Sequence, residues 1–131
     1  MLQFVGIGAL AAVSAILQAR LSPRSEGTVL TISVNEARRH NPLWIDARNR
    51  LEFDQEHVPH ALNLPLIDAI KGQIPRRIGQ TPGMILVYCD GPHCGASEKV
   101  GKILSQRLGR PIYVLTGGLQ ELRKTGGVGT N

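Results

Sequence analysis

"MILVYCDGPHCGASEKVGKILSQRLGRPIYVL", residues 84–115, is the stretch that decides the fold. It opens with Met84 to Tyr88, the most strand-like apolar run in the chain. A loop with both cysteines of the protein, Cys89 and Cys94, follows. Val100, Ile103, Leu104 and Leu108 then fall at i, i+3, i+4 and i+8, one face of a helix that Gly109 ends. "PIYVL", 111–115, is a second β-rich run. Strand, loop, helix and strand form one unit of an α/β sheet.

The flanking sequence repeats the alternation. "TVLTI", 28–32, reads as a strand, and Ser33 with Glu36 has the spacing of a capping box at a helix start. Asn41-Pro42 ends that helix, and "LWIDA", 43–47, reads as a buried strand. "RLEFDQEH" has short helical character and stops before Pro59; "ALNLP", 61–65, is a third strand candidate. Residues 66–79 are weakly apolar and broken by Gly72 and Pro75, and "GLQELRKTG" reads as a last short helix. The expectation is a single α/β domain over 28–126, on a largely parallel sheet, with a loose tail at 127–131.

Two cysteines in 131 residues exclude a disulfide-dense secreted scaffold. The formal charge of +5 is spread along the chain without a basic run interleaved with aromatics, so nothing supports a nucleic-acid partner. Met1 to Ala19, "MLQFVGIGALAAVSAILQA", carries no charge. As a helix it would reach about 28 Å, near the thickness of a bilayer's hydrocarbon core. It lacks the basic start of a secretory signal, so it reads as an uncleaved membrane anchor rather than a leader, with a buried core helix as the alternative. Arg20 and Arg24 directly after it place the domain on the cytoplasmic side, with residues 20–27 as a linker.

Cys89 stands at the end of the most hydrophobic strand, with a helix beginning a few residues later. Open α/β sheets bind ligands outside the carboxyl ends of their strands. A strand–loop–helix connection turns backbone N–H groups and a helix N-terminus toward the loop's centre. Both favour a thiolate, the nucleophilic form of cysteine. Gly91 and Gly95 let the loop close around a small anion. The competing explanation is a small buried hydrophobe.

"WIDARNRLEFDQEHVPHALNLP", 44–65, resembles the rhodanese family's pattern of strand, Asp-x-Arg, Glu-Phe and His-x-Pro-x-Ala-x-Asn, through Asp46, Arg48, Glu52, Phe53, His57, Pro59, Ala61 and Asn63. "ILVYC", 85–89, is similar to that family's strand into its active-site cysteine, and "VLTGGLQEL", 114–122, to its closing strand, double glycine and helix. The resemblance implies a rhodanese-like fold: a central parallel five-stranded sheet flanked by helices on both faces, here with an N-terminal hydrophobic helix added. It implies sulfur transfer without a cofactor. Cys89 would take sulfur from thiosulfate or a persulfide and pass it to a thiol or cyanide. The amides of Asp90, Gly91, Pro92, His93, Cys94 and Gly95 would hold the persulfide, with Asp46 and Arg48 fixing the neighbouring loops. The alternatives are a non-catalytic module that binds a protein, or a Cys89/Cys94 thiol–disulfide protein.

The sequence departs from that family in specific places. The loop has Asp90 after the cysteine and no Arg or Lys, which disfavours a dianionic donor. Position 95 is Gly rather than the Arg of a Cys-x5-Arg phosphatase loop. Glu56 and His60 stand where glycine is usual, and Leu122 replaces a common tryptophan. Cys94 is close enough for a disulfide, but a cytoplasmic domain keeps thiols reduced, so the expectation is that it packs as a free thiol. His57, His60, Cys89 and Cys94 do not have zinc-finger spacing, and no metal site is expected.

Overall fold

The structure, a computed structural model, describes residues 27–129. In chain order it contains β1 (Val29–Ile32), α1 (Val34–Arg38), β2 (Leu43–Asp46), α2 (Arg50–Gln55), β3 (Leu62–Asn63), α3 (Leu66–Ile70), α4 (Arg76–Gln80), β4 (Ile85–Tyr88), α5 (Ala96–Leu108), β5 (Ile112–Leu115) and α6 (Gly118–Lys124). The strands form one five-stranded sheet in the order β1-β5-β4-β2-β3, and every pairing is parallel. The expected parallel sheet with helices is therefore present. The hydrophobic N-terminal helix expected at 1–19, and all but the last residue of the 20–27 linker, lie outside the described residues. Among the described residues no helix is long and apolar enough to cross a membrane.

β4 is central because its side chains are apolar on both sides. Leu86 and Tyr88 pack into one core with Ile32, Val34, Ala37, Leu119 and Leu122. Ile85 and Val87 pack into the other with Ile45, Ala69, Ile78, Val100 and Leu104. A run without alternation suits a parallel strand covered on both faces. Full burial of such side chains stabilises by roughly 1.5–3 kcal/mol each.

The chain leaves β2 toward β3 and leaves β4 in the opposite direction, toward β5. Right-handed crossovers then place α2 and α5 on opposite faces. The packing agrees: Phe53 of α2 meets the Leu86–Tyr88 side, and Val100 and Leu104 of α5 meet the Ile85–Val87 side. Adjacent strands whose connections part in this way leave a crevice at their carboxyl ends. Here that point of divergence falls between β2 and β4, whose ends, Asp46 and Tyr88, are aligned in register.

Helix starts are set by caps. The Ser33 side chain accepts from the Glu36 N–H at 3.2 Å. Asn49 and Glu52 form a complete reciprocal capping box at α2. The described part of the tail is tied to the domain at Gly129, which exchanges backbone hydrogen bonds of 3.0 and 3.1 Å with His57.

Candidate active site

Two buried groups stand at and just after the end of β2, where Asp46 is in register with Tyr88. Asp46 and Arg48 are almost fully buried, and the guanidinium grips the carboxylate through Nη2 to Oδ2 at 2.8 Å and Nε to Oδ1 at 3.1 Å. The Arg48 backbone N–H also donates to Oδ1 at 2.9 Å, and Nη2 donates to the Glu56 carbonyl. Asn63 Nδ2 donates to the carbonyls of Asp46 and Arg48, at 3.1 and 2.8 Å. The loop after β2 is thus tied to β3 and to the end of α2. Burial opposes the Arg48 charge, but the hydrogen bond and charge of Asp46 outweigh it and raise the guanidinium's pKa. Together the two side chains tie the loop after β2 to the end of α2.

Tyr88, beside this pair, donates no freedom to the site. Its Oη accepts the Val58 N–H at 3.0 Å, and its ring meets Trp44 edge-on with centroids 6.1 Å apart. Burial first, then the nearby Asp46 charge, pushes its pKa far above the ordinary phenol value. The chain then passes into Cys89, which is 3% exposed.

The loop at 89–95 rests on α6. Leu119 N–H donates to the Cys89 carbonyl at 2.8 Å, and Gln120 N–H to the Asp90 carbonyl at 3.0 Å. The approach needs the double glycine. A Cβ on Gly118 would lie 2.6 Å from the Cys89 oxygen and 3.0 Å from the Gly91 nitrogen, and its φ is +59°. Only glycine meets both conditions without strain.

The expectation of a free, packed Cys94 is not met. Cys89 and Cys94 are joined as a disulfide, with Cα atoms 6.1 Å apart. The physical reason is the turn from Gly91 to Cys94. The Cys94 N–H donates to the Gly91 carbonyl at 3.2 Å, which folds the half-buried Cys94 back onto the strand end. This turn also revises the expected ring of amides. Pro92 has no N–H and that of Cys94 is used, so two of the six positions cannot donate to an anion.

Two clefts open at the loop. One, of about 410 Å³, is lined by Asp90, Gly91, Pro92, His93, Cys94 and Gln120. The other, of about 170 Å³, adds Thr31, Ser97, Glu98 and Gly117 to Gly91, Pro92 and Cys94. A larger cleft of about 570 Å³ lies between α3 and α5, lined by Ala69, Ile70, Ile103, Gln106 and Arg107. Its lining contains no cysteine.

The sequence reading missed Arg123. From α6 it pairs with Glu56 at 2.7 Å and approaches Asp90 at 3.8 Å. The cation that the loop lacks thus comes from a separate helix, and no local signal announced it. Glu56, unusual for its position, is explained by the same pair. His60 keeps a left-handed backbone (φ +67°), which accounts for glycine being usual there. His57 stacks on Phe53 with ring centroids 3.8 Å apart, and its Nδ1 lies 2.6 Å from the Phe53 carbonyl. Among the described residues no three His, Cys, Asp or Glu side chains are grouped to hold a metal ion.

With the cysteine at the end of β4 and the double glycine against it, comparison with known proteins becomes specific. The family model for the rhodanese-like domain matches residues 33–125. The chain belongs to the rhodanese family. No curated protein matches it by sequence. A Bacillus halodurans protein of known crystal structure is 19% identical, with TM-score 0.62, over 92% of this chain and 86% of that one. A rhodanese-related protein from Thermoplasma volcanium is 18% identical, with TM-score 0.61, over 78% of this chain and 99% of that one. At these identities the likeness concerns the fold. A thiosulfate sulfurtransferase from Pseudomonas aeruginosa is 26% identical, with TM-score 0.59, over 78% of this chain but 20% of that one. The rhodanese-like chain described here thus spans about a fifth of that protein.

Proposed function

We propose that this rhodanese-family protein is a sulfurtransferase that carries sulfane sulfur as a persulfide on Cys89. The observation that carries the proposal is the position of Cys89. It follows the central strand, where the connections of β2 and β4 part, in a loop that leads into the N-terminus of the 13-residue α5. In the reduced protein the Cys89 thiolate attacks the outer sulfur of a donor, and the donor's remainder leaves with the bonding electrons. An acceptor thiolate or cyanide then removes that sulfur and restores the thiolate.

The donor that fits best is a thiol-linked persulfide rather than thiosulfate. Asp90 lines one cleft and Glu98 the other, and like charges repel a dianion. Arg123 offsets part of that field from the side of Asp90. Asp46 and Arg48 are positioning residues that hold the loop after β2. Initial rates with varied donor and acceptor should give parallel double-reciprocal lines, with activity lost in Cys89→Ser. Undiminished transfer by Cys89→Ser would overturn the proposal.

A second reading has one specific observation in its favour, the Cys89–Cys94 bond. On that reading the pair exchanges electrons with external dithiols, and either Cys→Ser substitution abolishes the exchange. For the uncharged stretch 1–19 the proposal is a membrane anchor that leaves the domain in the cytoplasm. Carbonate washing should then leave the full chain in the membrane pellet; its release into the wash would contradict an anchor. A disulfide in that compartment is transient and catalytic rather than structural.

A further inference from the structure

We infer that Cys94 is the resolving thiol of the Cys89 persulfide, so that the loaded protein discharges its sulfur as sulfide and closes the Cys89–Cys94 disulfide when no external acceptor arrives. This rests on the persulfide reading above and adds a second product to it.

Three observations carry the inference. First, Cys94 is bonded to the sulfur proposed as the nucleophile, through a turn closed by its own N–H. In the disulfide its Sγ holds the bond that the sulfane sulfur holds in a persulfide. The two states exclude each other, and only the reduced pair can be loaded. Second, Cys89 is buried while Cys94 is half-buried and lines both clefts. Third, the loop tethers Cys94 beside Cys89 at a spacing of five residues. A tether this short gives a thiol an effective concentration on the order of millimolar. The tethered thiol therefore competes with dissolved acceptors. Asp90, directly after Cys89, disfavours accumulation of an anionic persulfide and works in the same direction.

The step is balanced. Cys94 sulfur attacks Cys89 Sγ, and the bond from Sγ to the sulfane sulfur breaks with its electron pair moving outward. Hydrosulfide leaves and carries the proton that Cys94 gives up. The sulfane sulfur is reduced, and the two cysteine sulfurs are oxidised to the disulfide. A dithiol reductant then returns both cysteines to thiols. The complete cycle consumes one sulfane sulfur and one dithiol, and yields sulfide and the reductant's disulfide.

The test uses the full chain, reduced with dithiothreitol, desalted without oxygen and mixed with glutathione persulfide. Sulfide and intact mass are followed together, with Cys89→Ser as background. Wild type should release about one sulfide per chain above background and end two hydrogens lighter than the reduced protein. Cys94→Ser and Cys94→Ala, checked for native circular dichroism, should instead keep one added sulfur beside the glutathione that loading releases, and give up sulfide at the wild-type extent only when excess dithiothreitol is added. If wild type holds its added sulfur as long as the Cys94 variants do, the resolving role is overturned and the persulfide reading stands. If no form gains or releases sulfur, both fall together.

Discussion

Gly118→Ala is the substitution whose cost can be worked out most fully. Gly118 has φ +59°, and a Cβ there would lie 2.6 Å from the Cys89 oxygen, 3.0 Å from the Gly91 nitrogen and 3.1 Å from the Asp90 carbonyl carbon. A left-handed backbone costs a non-glycine residue about 1–2 kcal/mol. Forcing a methyl group into a filled space adds about 1–3 kcal/mol. All three neighbours are backbone atoms of the loop after β4, so they cannot swing away as a side-chain tip would. The expected loss is therefore about 2–5 kcal/mol, a large part of an ordinary domain's stability. Gly126→Ala is the control: φ is +70°, but nothing lies within 4 Å of its Cβ position. Only the backbone term applies there, and the reduced freedom of the unfolded chain acts equally on both variants. Urea denaturation should show a lower midpoint for Gly118→Ala than for Gly126→Ala, at unchanged slope. Sulfur loading should fall in Gly118→Ala alone, because the clash displaces Cys89. Equal midpoints for the two variants would refute the claim that close approach, rather than conformation, requires glycine at 118.

Three further outcomes follow from other contacts. Arg48→Leu leaves the Asp46 carboxylate buried without its partner, and denaturation should show a loss of about 3–5 kcal/mol; an unchanged midpoint would show that the pair does not hold the loop. Tyr88 has a raised pKa in the folded state, so it adds stability below its unfolded value near 10 that is lost as pH climbs above that value. Stability measured across that range should therefore decline in wild type, and the decline should be smaller in Tyr88→Phe; identical slopes would remove Tyr88 from the account. Arg123→Gln breaks only exposed pairs and should change stability by less than about 1 kcal/mol. It should slow loading from thiosulfate more than loading from a neutral trisulfide, and equal slowing would show that Arg123 does not offset Asp90.

The parts of the fold that could be read from the chain are those whose signals are local. Met84–Tyr88 is an unbroken apolar run and Val100–Leu108 a helical stripe; the strand starts one residue after Met84, and the helix ends with the stripe at Leu108 but starts four residues before it, at Ala96. The segment 66–79 looked featureless because α3 and α4 are five residues each, too short to show a repeat. The position of Cys89 was legible for the same local reason: a strand end followed by a helix start. Arg123 was not, since its approach to Asp90 depends on how α6 lies against the loop after β4. The pairing of Gly129 with His57 likewise joins distant segments. Cys94 is intermediate. Its spacing from Cys89 allowed a bond, but the turn through Gly91 decides it, and a turn of that kind leaves no periodic trace.

The central claim is that Cys89 carries the sulfur. The most direct measurement is the intact mass of the reduced full chain after exposure to glutathione persulfide, with Cys94→Ser holding the intermediate. The account predicts one added sulfur atom in Cys94→Ser, located on the peptide that contains Cys89, removed by cyanide, and absent when Cys89 is also replaced by serine. No added sulfur, or sulfur that persists without Cys89, would contradict it.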